Sequence, residues 1–275
     1  SAENQKAYNA SNSALLAVDP KTGQILSMVG SKYYFDKTID GAYNVVTAKR
    51  QPGSSFKPFV YAAGFQKGYT PETILFDVRT EFSTSCVSDP KTCYNPDDFD
   101  VLFKGPVSIR AALAESRNVP AVKMLYLVGL DDALSMAKNL GITGLGDKSR
   151  YGLSLVLGGG EVSLLDMTTA YGVFANSGVK NNTVGILSVK DKEGGIVEQF
   201  ESSESNVLDK NIALIVNDIL SDPVARTPTF GSSLTLPGVA FKTGTTNDNK
   251  DAWIMGYTPN IVVGVWSGNN DNKPM

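Results

Sequence analysis

Histidine does not occur in this 275-residue sequence, and its absence restricts the chemistry that the chain can perform. A Ser-His-Asp triad is excluded, and so is any metal site that uses histidine ligands. The two cysteines alone cannot build a Cys-rich zinc site. We therefore expect no metal and no cofactor, and any nucleophilic catalysis has to use a base other than histidine.

The sequence also lacks an excess of basic charge and long apolar runs. It has 25 Lys and Arg against 28 Asp and Glu, a net charge of −3, and dispersed basic residues, which argues against nucleic acid as a partner. No apolar run reaches the roughly 18 residues of a membrane span, and we see no signal-peptide pattern. The first residues, and the end at Met275 just after a strand-like run, lead us to expect a piece of a longer protein.

The only two cysteines, Cys86 and Cys93, flank a short polar segment with Asp89-Pro90 at its centre. They are either two unrelated thiols or a local disulfide. The Asp-Pro turn favours the disulfide because it can bring the two residues together. A disulfide would indicate an oxidising compartment outside the cytoplasm. No Lys or Arg cluster beyond Lys91 is near them, so we expect no reactive thiolate.

Apolar residues predict strands at both chain ends and helices between them, with a further hairpin near 184–200. The predicted strands are 13–19, 24–30, 239–243, 252–257 and 261–266. The predicted helical segments are 106–116, 119–129, 131–140, 161–177 and 207–220. This order predicts an α+β fold over residues 1–275, in which one antiparallel sheet is formed from both chain ends with a helical subdomain between them.

A serine and a lysine three residues apart form the first candidate site. Pro52-Gly53 ends the preceding element, and Ser54 can then open a helix with Pro58 in its first turn. On a helix, Ser54 and Lys57 lie on one face. A serine hydroxyl is a good nucleophile only when a base removes its proton, and a buried lysine with a lowered pKa can be that base. A helix cap followed by a solvated lysine is the alternative.

A short polar loop between two apolar helical runs, Glu115-Ser116-Arg117-Asn118, is the second candidate. In an extended loop, Ser116 and Asn118 point the same way. A hydroxyl that relays a proton and a carboxamide that holds a substrate amide would suit this spacing. The alternative is the end of one helix followed by the start of the next.

The third candidate is the strand segment Lys242-Thr243-Gly244-Thr245-Thr246. A lysine, hydroxyls and a glycine on one strand can bind a carboxylate, and Gly244 would let a substrate approach the backbone. The strand edge can bind an extended peptide by strand addition. We therefore predict Thr243, Gly244, Thr245 and Thr246 as substrate-binding residues, with an ordinary edge strand containing a glycine bulge as the alternative.

In this order, Ser-x-x-Lys, Ser-x-Asn and Lys-Thr-Gly resemble the motif set of penicillin-binding proteins and class A β-lactamases. The wider sequence resembles the transpeptidase domain of the class A, bifunctional penicillin-binding proteins, from about residue 10 to about residue 270. That family implies a glycosyltransferase domain and a membrane anchor upstream. Cys86 and Cys93 are not part of the family pattern. The segments that carry the resemblance are 50–59, 157–158, 161–162, 170–178, 242–248, 251–253 and 256–259.

The resemblance implies a serine-type D-Ala-D-Ala transpeptidase of peptidoglycan synthesis. Ser54 would attack the carbonyl between the two terminal D-alanines of a stem peptide, and Lys57 would be the general base. Ser116 would relay the proton to the leaving amine, with Lys242 tuning it electrostatically. An amine of a neighbouring stem peptide would then attack the acyl-enzyme and form a cross-link, with D,D-carboxypeptidation as a side activity.

The same resemblance implies substrate contacts, partners and location. Asn118 would hold a substrate amide, and Thr243 and Thr245 would bind the terminal carboxylate. The backbone N–H groups of Ser54 and Thr245 would form the oxyanion hole. The implied partners are donor and acceptor stem peptides, β-lactams that acylate Ser54, and other cell-wall synthesis proteins. The implied location is the bacterial cell envelope, on the outer face of the cytoplasmic membrane.

Three other functions share part of this pattern. A β-lactamase needs a base for deacylation, and Glu161, at a helix start, is the nearest acidic candidate after the second motif. A β-lactam sensor domain shares the nucleophile chemistry but not the class A context. A catalytically inactive binding domain is the non-enzyme alternative, and the joint presence of all the motif residues argues against it.

Overall fold

The computed structural model describes residues 6–275 of the chain. Its strands, in chain order, are β1 (Asn12–Val18), β2 (Ile25–Val29), β3 (Ile74–Asp77), β4 (Gly105–Ser108), β5 (Val179–Asn181), β6 (Ser188–Lys190), β7 (Ile196–Gln199), β8 (Glu204–Asn206), β9 (Ala240–Thr245), β10 (Asp251–Thr258) and β11 (Ile261–Gly268). Five of them form an antiparallel sheet in the order β2-β1-β11-β10-β9. The two ends of the chain therefore meet in one sheet, which confirms the predicted α+β class.

The register of this sheet places the chain ends side by side. β1 and β11 run antiparallel, with Asn12 opposite Gly268 and Val18 opposite Val262. Alternate residues of β10 and β11 are buried, as expected for strands with one face on the core. In the five-stranded sheet, β9 pairs with β10 alone and is an edge strand.

The helices fill the space between the two ends of the chain. They are α1 (Lys57–Gln66), α2 (Ile109–Ala114), α3 (Asn118–Val128), α4 (Leu130–Leu140), α5 (Leu164–Ala175), α6 (Lys210–Ser221) and α7 (Pro223–Phe230). Helix α1 is buried on all sides from its first residue to Phe65, which identifies it as the central helix. The Phe59 ring packs against the rings of Phe56, Tyr171 and Phe174, so α1 and α5 share an aromatic core.

Helix α5 lies close against the central strand β11. A Cβ added at Gly264 would lie 2.5 Å from Thr168 Oγ1 and 2.8 Å from Leu164 Cδ1. Glycine at this position therefore permits the close approach of helix and strand. The start of α5 is fixed by Ser163, whose hydroxyl accepts a hydrogen bond from the backbone N–H of Asp166.

Three predicted helices begin later than the sequence pattern indicated. Residues 105–108 form β4, and α2 starts only after Ser108, which caps it by accepting a bond from the Ala111 amide. Helix α5 starts after Ser163 because Val162 pairs with Arg50 in an isolated bridge. Helix α6 starts after Asp209, whose carboxylate accepts the Asn211 amide. The predicted helices α3 and α4 are confirmed. Helix α7, with a proline inside it, and the β3-β4 pair were not predicted.

The predicted hairpins and the meander are confirmed. The first hairpin is β1-β2, the second is β6-β7, and the meander is β9-β10-β11. Among residues 6–275, no helix combines the length and apolar character that crossing a lipid bilayer requires.

Candidate active site

Ser54 lies in a 3-10 turn, Gly53–Phe56, that leads directly into α1. We expected Ser54 to open the α-helix itself, and the difference has a simple cause. Pro58 has no N–H to donate to the Ser54 carbonyl, so that oxygen accepts the Lys57 amide instead, three residues on. Serine and lysine remain one turn apart, at the buried start of the central helix.

Three hydrogen bonds, two of them from distant parts of the chain, hold the Gly53–Phe56 turn and the residues just before it, here called the nucleophile turn. The Trp253 indole donates to the Gln51 carbonyl over 2.8 Å, and the Tyr171 hydroxyl donates to the Ser55 carbonyl over 2.7 Å. The Ser55 hydroxyl donates to Pro52 O over 2.6 Å. The sequence places Trp253 and Tyr171 in family-like segments, but no local signal assigns them to Ser54, because the contacts span more than a hundred residues.

Three glycines let backbone segments touch around Ser54. A Cβ at Gly53 would lie 2.5 Å from Thr245 O, and one at Gly158 would lie 2.2 Å from Gly53 N. A Cβ at Gly244 would lie 2.2 Å from Pro52 O. We expected Gly244 to leave space for a substrate to approach the backbone. Instead, the nucleophile turn occupies the space beside Gly244.

Lys57 is completely buried, with its amine held by two oxygens. Its Nζ donates to Ser116 O over 2.6 Å and to Asn118 Oδ1 over 2.7 Å, and lies 3.4 Å from Ser116 Oγ. Burial lowers the pKa of Lys57 to about 7. The charge of Asp98 opposes this decrease, and the charge of Arg117 adds to it. A large fraction of Lys57 is therefore neutral near pH 7.

Ser116 adopts an unusual backbone conformation, with φ of 61°. Its amide bonds to Leu113 O and the next amide, of Arg117, bonds to Ala112 O, which is the Schellman arrangement that ends α2. This differs from the extended loop that we expected. A left-handed residue other than glycine costs free energy and is often found at functional sites. Here it turns both the carbonyl and the hydroxyl of Ser116 toward Lys57.

Lys242, the second buried lysine, reaches the same hydroxyl from β9. Its Nζ donates to Ser116 Oγ and to Thr243 O, each over 2.8 Å. Burial, and then the charges of Lys57 and Arg226, hold the pKa of Lys242 well below its usual range. Ser116 Oγ thus lies between two lysines, and Lys57, Ser116 and Lys242 form one connected group beside the groove that Ser54 borders.

A groove of about 580 Å³ opens beside these residues. Thr243 and Thr245 border it with partly or fully exposed side chains, as a substrate-binding role requires. Thr246 differs: its side chain is buried, and its hydroxyl accepts the Asp251 amide over 2.9 Å, so it shapes the turn after β9. The groove is lined by Ser54, Phe99, Glu115, Ser116, Asn118, Leu157, Thr229, Phe230, Thr243, Thr245, Thr246, Asp248 and Asn249.

The model of the penicillin binding protein transpeptidase domain family matches residues 13–273 of this sequence. The chain belongs to this family. Penicillin-binding protein 1A of Neisseria flavescens is 34% identical over 269 residues, which are 95% of this chain and 33% of the relative. The chain thus spans about a third of the length of the curated relatives it matches. These relatives confirm the resemblance to the class A penicillin-binding proteins.

Solved structures from this family have the same fold. Penicillin-Binding Protein 1A from Haemophilus influenzae superposes with a TM-score of 0.82 at 24% identity, covering 96% of this chain and 44% of that one. The PonA1 protein from Mycobacterium tuberculosis, in complex with penicillin V, gives a TM-score of 0.82 at 20% identity, covering all of this chain and 74% of that one.

Glu161 is the candidate deacylation base of a β-lactamase. Its side chain is exposed, and it borders a small separate cavity with Arg50 and Gln51. It is not among the residues that line the groove at Ser54. The structure joins Cys86 and Cys93 in a disulfide with a Cα–Cα distance of 4.5 Å, also away from the groove lining.

Proposed function

We propose that this chain is the transpeptidase domain of a bifunctional, class A penicillin-binding protein and cross-links peptidoglycan through an acyl-enzyme on Ser54. One observation carries the proposal. Lys57, Ser116, Asn118 and Lys242 form a single hydrogen-bonded group at the groove that Ser54 borders. A site for acyl transfer needs such a base and a proton relay beside the nucleophile.

Acylation follows from the state of the Lys57 amine. A neutral amine has two N–H groups and one lone pair, and the two N–H groups are donated to Ser116 O and Asn118 Oδ1. The lone pair is therefore left to take the proton of Ser54 as its oxygen bonds to the substrate carbonyl. When the C–N bond breaks, Ser116 passes a proton to the leaving D-alanine amine. The two lysines on Ser116 Oγ favour the transient negative charge on that oxygen.

Substrate binding uses the exposed side of β9. Thr243 and Thr245 offer hydroxyls for the terminal carboxylate, and the charge of Lys242 favours an anion there. Asn118 holds a peptide amide of the stem. Ser54 and Thr245 border the same groove. Their backbone N–H groups form the oxyanion hole. Because β9 is an edge strand, an extended peptide can align along it.

The acyl-enzyme is released by an amine of a neighbouring stem peptide, which forms the cross-link. Water in place of the amine gives D,D-carboxypeptidation. β-Lactams acylate Ser54 in the same way and inhibit the enzyme, and Glu161 lies outside the groove where a base for their hydrolysis would be needed. In the whole protein, we expect a glycosyltransferase domain and a membrane anchor before this domain, which then works on the outer face of the cytoplasmic membrane with other cell-wall synthesis proteins.

Mass spectrometry after exposure to penicillin tests this function. We expect a long-lived adduct of one penicillin on the wild-type chain and none on Ser54→Ala, with the fold retained in circular dichroism. Ser205→Ala, an exposed serine on β8, is the matched control and should keep the adduct. A short-lived adduct would indicate a β-lactamase, and no adduct on the wild-type chain would indicate a binding domain.

A further inference from the structure

A cluster of three acidic residues, two of them buried, lies directly behind the second motif. Arg117 is 3% exposed, and its guanidinium contacts three carboxylates. Its Nε donates to Asp77 Oδ2 over 2.9 Å, and its NH1 donates to Asp100 Oδ2 over 2.7 Å. Its NH2 lies 3.2 Å from Asp98 Oδ2. Asp77 and Asp98 are buried and Asp100 is exposed, so two carboxyl groups share this one arginine in the interior.

Asp98 connects this cluster to the catalytic group through Asn118. Its Oδ1 accepts the backbone N–H of Asn118, and the neighbouring Asp97 O accepts Asn118 Nδ2 over 2.8 Å. The other side of the same carboxamide, Oδ1, accepts Lys57 Nζ. The Asp97-Asp98 segment therefore fixes both the backbone and the amide orientation of Asn118, and hence the oxygen that holds Lys57.

Two oxygens of the cluster make no hydrogen bond. Asp77 Oδ1 and Asp98 Oδ2 are buried without a hydrogen-bond partner, and the contact of Asp98 Oδ2 with Arg117 NH2 is an ion pair only. The two carboxyl groups lie within hydrogen-bonding reach of each other, so one proton between them would satisfy both. Burial, and then this contact with Asp77, raises the pKa of Asp98 to about 6. Asp98 can therefore change its charge near neutral pH.

We propose that Asp98 is a positioning residue for acylation: its carboxylate holds the backbone N–H of Asn118, whose carboxamide oxygen binds Lys57, and its negative charge sets how readily Lys57 accepts a proton. The proposal rests on the proposed function, because it concerns the base of that reaction. Asp98 lies outside the three motifs, and under this proposal its charge influences the pH range in which the enzyme reacts.

The other charged and titratable groups around Asp98 and Lys57 come from several elements. Asp98 is the group whose charge raises the pKa of Lys57, and Arg117 acts in the opposite direction. Burial keeps Tyr61 protonated by raising its pKa, so it carries no charge here. The remaining facing groups are Asp77 from β3, Asp100 from the same loop as Asp98, Lys123 from α3, and Lys242 from β9, which has Arg226 beside it.

The decisive experiment compares Asp98→Asn with Asp100→Asn. An asparagine at 98 keeps the acceptor for the Asn118 amide and can donate to Asp77, but removes the charge near Lys57. Asp100→Asn removes the same charge from the same arginine without touching Asn118, and is the matched control. The rate of acylation by fluorescent penicillin is measured from pH 5 to 9.

We expect the acid limb of Asp98→Asn to move roughly half to one pH unit lower, because Lys57 loses an opposite charge. At pH 6 its rate, relative to its own plateau, should be about three- to fivefold above wild type. Asp100→Asn should follow the wild-type profile. Coincident profiles for Asp98→Asn and wild type would overturn the proposal, and so would equal shifts in both variants.

Asp98→Ala separates positioning from charge. It leaves the Asn118 amide without its acceptor, so the plateau rate should fall about tenfold or more and be rescued by Asp98→Asn. If Asp98→Ala does not fold, the comparison of Asp98→Asn with Asp100→Asn still tests the proposal. If the wild-type chain is not acylated at any pH, the proposed function fails, but the Lys57 Cε resonance, titrated by NMR, still tests the link: an unchanged Lys57 pKa in Asp98→Asn would overturn it.

Discussion

Lys57 and Lys242 differ from the surface lysines of this chain because folding removes both from water. The loss of hydration disfavours their charged forms, which destabilises the fold but gives the site a base near neutral pH. For Lys57, the folded pKa of about 7 lies below the 10.5 of an exposed lysine. The unfolded chain therefore binds more protons between these values, and stability rises with pH across that window.

The pH dependence of acylation follows from Lys57. Only the neutral amine can take the Ser54 proton, so the rate should rise about tenfold per pH unit below 7 and level off above it. Stopped-flow acylation by penicillin, with circular dichroism at each pH to verify folding, measures this. A rate that stays flat from pH 5.5 to 8 would contradict the assignment of Lys57 as base.

The carboxylate contacts can be tested at two residues. Lys242→Ala and Thr245→Ala should each slow acylation about ten- to hundredfold, since a charge-assisted hydrogen bond is worth about 1.5–3 kcal/mol. The free energy of unfolding, from urea titration, should show that the domain remains folded. Lys192→Ala, at an almost fully exposed lysine on the β6-β7 hairpin, is the control. Rates equal to the control in both variants would remove these residues from the site.

At the scale of helices and strands, the sequence predicts the features that depend on residues close together in the chain. The strands of the sheet have clear apolar patterns, and Ser54, Lys57, Ser116 and Lys242 stand in short motifs, so their placement could be expected. Helix α7 is not predicted because it contains a proline, although its Thr229 and Phe230 line the groove.

The long-range contacts that hold the site residues in place could not be predicted in the same way. Trp253 reaches Gln51 across 202 positions, and Asp77 reaches Arg117 across 40. No periodicity or spacing within one element records such a contact. The left-handed turn at Ser116 is also hidden, because a serine gives no signal for a conformation that favours glycine.

The close contact between β9 and the nucleophile turn gives a prediction about Gly244. In Gly244→Ala, the new methyl group would lie 2.2 Å from Pro52 O and 2.9 Å from Ser55 N, so the two backbones must separate. We expect the free energy of unfolding to fall by about 1–3 kcal/mol and acylation to fall roughly ten- to hundredfold. Gly146→Ala, where a Cβ meets nothing within 4 Å, should change neither. Wild-type acylation by Gly244→Ala would show that the contact is unimportant.

The Cys86–Cys93 disulfide closes a ring of the exposed loop and should not affect catalysis. Asp98, which follows the disulfide ring in the chain, is held by its ion pair with Arg117 and not by the disulfide. Replacing both cysteines by serine should cost about 2 kcal/mol or less of stability, because the closed ring is short. Acylation should stay near wild type. Thiol titration under denaturing, non-reducing conditions should find no free thiol in protein from an oxidising compartment, and two free thiols would show that the bridge is absent.

For the whole molecule, the pairing of β1 with β11 leads us to expect a response to mechanical force that depends on the points of pulling. Tension on Asn12 and Gly268 acts at the same end of two antiparallel strands, so their hydrogen bonds break one after another. Tension on Val18 and Gly268 acts at opposite ends and loads all of the bonds together. Optical-tweezer pulling should therefore open the domain at a lower force in the first geometry than in the second. Equal forces would show that another part of the fold yields first. A domain stretched by its two ends should thus come apart along the middle of its sheet, with the Lys242 strand on one side of the break.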